Sequence, residues 1–171
     1  MTASAAPEFV PAMLYADLAQ ELAATRRTLE RVPDGRSDWR PHEKSMTLGR
    51  LATHLAEQPA FAMTILGSDE LDLARSGSSA RTLPTTAEML ALFDRDAAAL
   101  QDAMATLDWP SLERTWTMRM GEKVFLSDRK VALIRKAVIN HLVHHRAQLG
   151  VYLRMLDVPV PSIYGPSADE R

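Results

Sequence analysis

Apolar residues recur along this chain at the three- and four-residue spacing of amphipathic helices in four segments. The first covers about residues 11–31, where Leu14, Leu18, Leu22 and Leu29 share a stripe, and Val32-Pro33-Asp34-Gly35 stops it. The second, 47–66, opens on Thr47 as a plausible N-cap and aligns Leu48, Leu51 and Leu55 ahead of Phe61, Ile65 and Leu66. Pro59 removes a backbone donor inside it, which predicts a kink or a fresh start. The third, 85–107, begins with Thr85-Thr86-Ala87-Glu88, a capping box, and carries Met89, Leu92, Phe93, Ala97, Leu100 and Met104 until Trp109-Pro110 ends it. The fourth and longest, 128–154, is expected to be capped by Ser127, with Asp128 near the positive end of its dipole. Pro159 and Pro161 forbid its continuation.

Between these segments the pattern changes. Gly67 to Pro84 reads as a loop of turn formers. From Leu112 to Leu126 the period suggests a small hairpin, Thr115–Met120 and Lys123–Leu126 around Gly121-Glu122, laid over one end of the bundle. The tail, 159–171, is polar and proline-rich. Four long helices with almost no strand predict an all-α fold, a four-helix bundle forming a single domain over 1–171.

Composition sharpens that picture. A chain of 171 residues, 46% hydrophobic and 25% charged, fits one domain with a full core and excludes general disorder. Twenty basic against 22 acidic residues create no field that would gather nucleic acid or a membrane surface. No apolar run is long enough to cross a bilayer, and the N-terminal residues lack a secretory pattern, so a cytoplasmic location is expected. The absence of cysteine excludes disulfides, thiolate metal sites and a protein thiol nucleophile. Chemistry falls to histidines, carboxylates, hydroxyls or a bound metal.

Three of the five histidines lie in Asn140-His141-Leu142-Val143-His144-His145-Arg146-Ala147-Gln148. At about 100° per residue, Val131, Ile134, Val138, Leu142, Leu149 and Tyr152 define the apolar face, with His145 at its centre. His141 falls about 40° to one side, and His144 about 100° away at the polar boundary. Imidazoles at i and i+4 lean over the same turn and can converge on one ion. His54, beside the leucine stripe of the second helix, can enter the same interior; His42 sits in a loop with no periodic reason to do so. One histidine on an apolar face is more often a hydrogen-bonded core residue than a ligand. A pair at i,i+4 with a third available on another helix reverses that balance, giving a metal site of His54, His141 and His145 with positions left open for water or substrate. The residue after His141 is Leu142, so the His-Glu-x-x-His signature of zinc proteases is absent.

Other groups are weaker candidates. Glu57, three residues after His54, could serve as a base or as acceptor for an imidazole N–H, although pairing with Arg50 or Arg26 is the plainer expectation. Gln148 could orient a histidine ligand or bond a neighbouring helix. Asp17 and Tyr15 reach the site only if the first helix faces it. Trp39, Trp109 and Trp116 read first as core or lid packing, and the nine scattered methionines as plastic core.

Taken together, Trp39-Arg40-Pro41, Thr47-Leu48-Gly49-Arg50-Leu51-Ala52-Thr53-His54-Leu55 with Glu57, the block Asn140–Gln148 and the closing Val158–Glu170 resemble the DinB/YfiT-like superfamily of four-helix bundles across nearly the whole chain. The resemblance implies an up-down-down-up bundle, often dimeric, holding a divalent metal, commonly zinc or nickel, on three histidines. Carried over residue by residue, those ligands are His54, His141 and His145. Ala147 stands where many relatives have glycine. The resemblance also implies either a metal-dependent hydrolase or a transferase or isomerase using a low-molecular-weight thiol, acting on a small-molecule substrate. The alternative is a non-catalytic, stress-inducible dimeric scaffold. An enzyme should show an open metal face beside a pocket; a scaffold should show a fourth protein ligand or no cavity.

Overall fold

The computed structural model describes residues 9–77 and 80–170. Its elements run α1 (Phe9–Leu29), α2 (Leu48–Gly67), β1 (Glu70–Asp72), α3 (Thr86–Ala105), α4 (Trp109–Glu113), β2 (Thr115–Met120) and β3 (Lys123–Arg129). The last helix joins α5 (Lys130–Leu133), a π-helical stretch (Ile134–Ile139) and α6 (Asn140–Met155). Both α3 and α6 pack against α1 and against α2, which places α1 and α2 on one diagonal of a four-helix bundle. Leu48, Leu51, Leu55, Ile65, Phe93, Leu100, Leu142 and Leu149 fill the space between them.

The helix starts follow local chemistry. Thr47 Oγ1 accepts the Arg50 N–H at 3.2 Å, and Thr85 with Glu88 forms the full capping box. Helix α2 runs through the buried Pro59 without a break. One missing backbone bond is outweighed by the burial of Leu55, Ala56, Ala62 and Ile65, each with no exposed surface. At Gly49 an added Cβ would fall 2.0 Å from Ser37 Oγ. Only glycine lets the 37–39 segment close on the helix start, where Gly49 N–H donates to Ser37 O and Leu48 N–H to Trp39 O.

Three expectations need correction. The fold is not purely helical: β1 pairs parallel to β2, and β2 antiparallel to β3, making a three-stranded sheet with a bulge at the register shift beside Met118 and Arg119. The third strand comes from the segment read as a loop. Arg119 pins it through Glu70 and Asp72, which turns a marginal hairpin into a sheet. Ser127 does not cap the last helix. It lies in β3 opposite Thr117, Asp128 pairs with Lys136 at 2.7 Å, and the helix begins at Lys130 without a side-chain cap. Trp109-Pro110 opens the short α4, with Asp108 as its cap, rather than simply ending α3. The proline occupies a first-turn position, where its missing N–H is harmless.

The indole of Trp116 is fully buried, donates to Ser68 Oγ at 3.0 Å and meets Phe61 edge-on. Trp39 packs edge-on against Tyr152, and Trp109 is half-buried in α4. The tail lies against the bundle through Arg27 and Arg31 to Glu170 and through Arg154 to Asp169.

Candidate metal centre

Helices α2 and α6 carry the three candidate histidines to one point. One ligand nitrogen from each of His54, His141 and His145 lies within 4.8 Å of the other two. His54 Nε2 and His141 Nε2 are 2.9 Å apart, and the ring centroids are separated by 4.4 to 5.0 Å. Among the described residues these three form the one group suited to hold an ion, and no carboxylate joins it. His145 is buried, His54 and His141 are half-buried, and His144 is exposed. His42 is exposed in its loop, where Nδ1 accepts the Lys44 N–H.

The π-helical stretch immediately before His141 sets the phase of the helix. The Asn140 N–H reaches back five residues to Arg135 O, which adds a residue to that turn. As a result both Leu133-Ile134 and Val138-Ile139 are buried ahead of Leu142 and His145.

Burial disfavours the charged form of all three rings. Burial, followed by the neighbouring His145 and His141 and then Arg50, lowers the pKa of His54 to about 4. Burial also lowers His141, helped by His145 and His144. For His145 burial is again the leading cause, partly offset by the hydrogen bond to Gln148. Neutral imidazole is the form that binds a metal.

Gln148 Oε1 lies 2.7 Å from His145 Nδ1. A carboxamide oxygen can only accept, so Nδ1 carries the proton and Nε2 keeps its free lone pair. Glu57 is engaged elsewhere: it accepts from both terminal nitrogens of Arg50 at 3.1 Å and from Arg81 Nε at 3.2 Å. Arg26, its other expected partner, binds Asp94 and Glu30 instead. Arg50 also faces His54 Nδ1 at 3.4 Å. Asp17 pairs with Arg135.

Sequence reasoning missed Gln58, which is 3% exposed and whose Nε2 is 3.4 Å from His54 Nε2. Its i+4 spacing from His54 was the available signal. Two clefts meet at His141 and Met118. One, of about 500 Å³, includes Arg50, His54, Glu57 and Gln58; the other, of about 620 Å³, runs beneath Phe125, Leu126 and Lys136.

The family model described as the DinB family matches residues 1–171. Among solved structures, a DinB-like protein (YjoA) from Bacillus subtilis is similar at 17% identity, covering 93% of this chain and 99% of that one, with a TM-score of 0.65. A member assigned to the DinB family from Exiguobacterium sibiricum matches at 18% identity over 90% and 95%, also at 0.65. YfiT from Bacillus subtilis, described as a probable metal-dependent hydrolase with an unusual four-helix bundle topology, matches at 16% identity over 92% and 93%, at 0.63. These likenesses concern the fold. No curated protein matches the chain.

Proposed function

The chain belongs to the DinB family, and from its histidine site we propose that it is a metal-dependent enzyme that makes a nucleophile from water or from a small diffusible thiol. The observation that carries this reading is the convergence of three imidazoles beside two clefts that share His141, with no fourth ionisable ligand in the group among the described residues. A scaffold would have little use for that opening. A divalent ion, zinc or nickel by family resemblance, would supply Lewis acidity, lowering the pKa of whatever water or thiol it binds. Hydrolysis is the favoured arm, supported by the description of YfiT. With no cysteine in the chain, the thiol arm needs an external cofactor.

The residues divide the work. His54, His141 and His145 hold the ion. Gln148 fixes the tautomer of His145. The Arg50–Glu57–Arg81 cluster, which includes two guanidinium groups and one carboxylate, lies beside His54 and favours a substrate with a negative or strongly polar end. Glu57 serves that cluster rather than abstracting a proton, since guanidinium groups occupy both of its oxygens. Clefts of this volume suit a small molecule. A homodimer is the expectation from the family resemblance, and the cytoplasm the expectation from the sequence pattern.

The test is a screen of zinc- and nickel-loaded protein against small esters, amides and thiol-transfer substrates, with and without a chelator. Turnover that disappears with the chelator and in His145→Ala supports the enzyme. Chelator-insensitive turnover, or none with any substrate class, contradicts it.

A further inference from the structure

The site holds one polar atom without an assignment. Among the described residues, Gln58 Oε1 is the buried side-chain oxygen or nitrogen without a hydrogen-bond partner. Leaving a buried acceptor unsatisfied costs about 1–3 kcal/mol, and such groups are rare outside functional sites. The amide cannot escape by turning over. Its Nε2 donates to the His54 carbonyl at 3.3 Å, and exchanging the two ends would set oxygen against oxygen. The nitrogen is thus anchored on its own helix within 3.4 Å of His54 Nε2, and the oxygen is left over. Leucine at this position would fill similar space without the penalty. Around His54, Arg50 faces Nδ1 and the Gln58 amide N–H faces the backbone carbonyl, but no donor reaches Oε1.

What the orphaned oxygen lacks is a proton donor, and a water molecule carried by a bound ion is one. We propose that Gln58 is a positioning residue whose carboxamide oxygen accepts a hydrogen bond from the water held by an ion on His54, His141 and His145. The proposal rests on the metal reading above. An uncharged acceptor at this position would orient such a water without taking its proton. Gln58 also lines the same cleft as Arg50 and Glu57, which puts the oriented water on the side where a polar substrate end enters.

The experiment compares cobalt(II)-loaded wild type with Gln58→Leu, following the visible cobalt absorption during titration with thiocyanate. Thiocyanate displaces bound water and has no proton to give to Gln58. The variant should keep cobalt affinity within about tenfold, as expected when no ligand is lost. It should bind thiocyanate about five- to tenfold more tightly, the equivalent of one hydrogen bond no longer broken. Without metal it should melt at the same temperature as wild type or higher, because the orphan has gone. Gln58→Met, of similar length, gives the same comparison if the leucine variant does not fold. Unchanged thiocyanate affinity overturns the role of Gln58 while leaving the metal site standing. Loss of cobalt binding in the variant overturns it too, by making Gln58 a direct ligand. Failure of wild type to take up cobalt removes the metal reading and this inference together.

Discussion

Two polar clusters are buried on adjacent faces of α6, and they are finished to different standards. On one face Arg146, 4% exposed, donates to the Glu21 carbonyl at 3.1 Å, to Thr25 Oγ1 at 3.3 Å and to the Tyr164 hydroxyl, and forms an ion pair with Glu21. Tyr164 in turn donates to Glu21 Oε2 at 2.7 Å. On the other face His54, His141 and His145 crowd together with depressed pKa values, and the neighbouring Gln58 keeps an unpaired oxygen. The first cluster is closed: charge meets charge, and the tail residue Tyr164 is drawn onto the bundle. The second leaves Gln58 Oε1 without a partner among the described residues. Both clusters border clefts: Arg146 and Tyr164 line one of about 440 Å³, and His54 and His141 line those that meet at His141. The two clusters thus differ in how fully their polar atoms find partners.

Breaking the closed cluster should have the largest effect on stability. Arg146→Ala leaves the buried Glu21 carboxylate without its cation, so unfolding should become easier by about 3–5 kcal/mol, measured by urea denaturation. If the metal content of the folded fraction is unchanged, the two clusters are independent. Next, Gln148→Leu removes the acceptor that holds His145 in its tautomer. Metal affinity should fall about 10–100-fold by competition with a chromophoric chelator, with little loss of apo stability.

Acid should act on the open cluster first. A histidine whose folded pKa is depressed resists protonation in the native state while the unfolded chain accepts the proton. Stability from His54 is therefore fully present above about pH 6.5 and is lost as pH falls toward about 4. The apo melting temperature should drop through that window, and a His54→Leu variant should show a shallower drop. The smallest effect belongs to His144→Ala. Its ring is exposed and touches only the edge of His145, so metal affinity should change by less than about threefold.

Most of the bundle was legible because helical periodicity and caps are local signals. The stripes of Leu14, Leu18 and Leu22 and of Leu48, Leu51 and Leu55 are buried as their spacing requires. The helical phase of about 100° per residue placed His145 inside, His141 at the side and His144 outside, as the structure does. Long-range features escaped. β1 exists because Arg119, more than 40 residues later, reaches Glu70 and Asp72. Ser127 has the residue type of a cap, but strand pairing with Thr117 claims its backbone. The π turn contains neither proline nor glycine to announce it. Glu57 was readable as a pair for Arg50, but Arg81 comes from a segment whose fold over α2 depends on Leu83 bonding Thr53.

His54, His141 and His145 should together hold one divalent ion. The most direct measurement is elemental analysis of protein purified without an affinity tag or chelator, run beside His145→Ala. About one equivalent of zinc, nickel or a similar metal per chain is expected in the wild type, and none in a variant that keeps its helical circular dichroism. A wild type that carries no metal and takes up neither zinc nor nickel when they are added would contradict it, as would a variant whose metal content is undiminished.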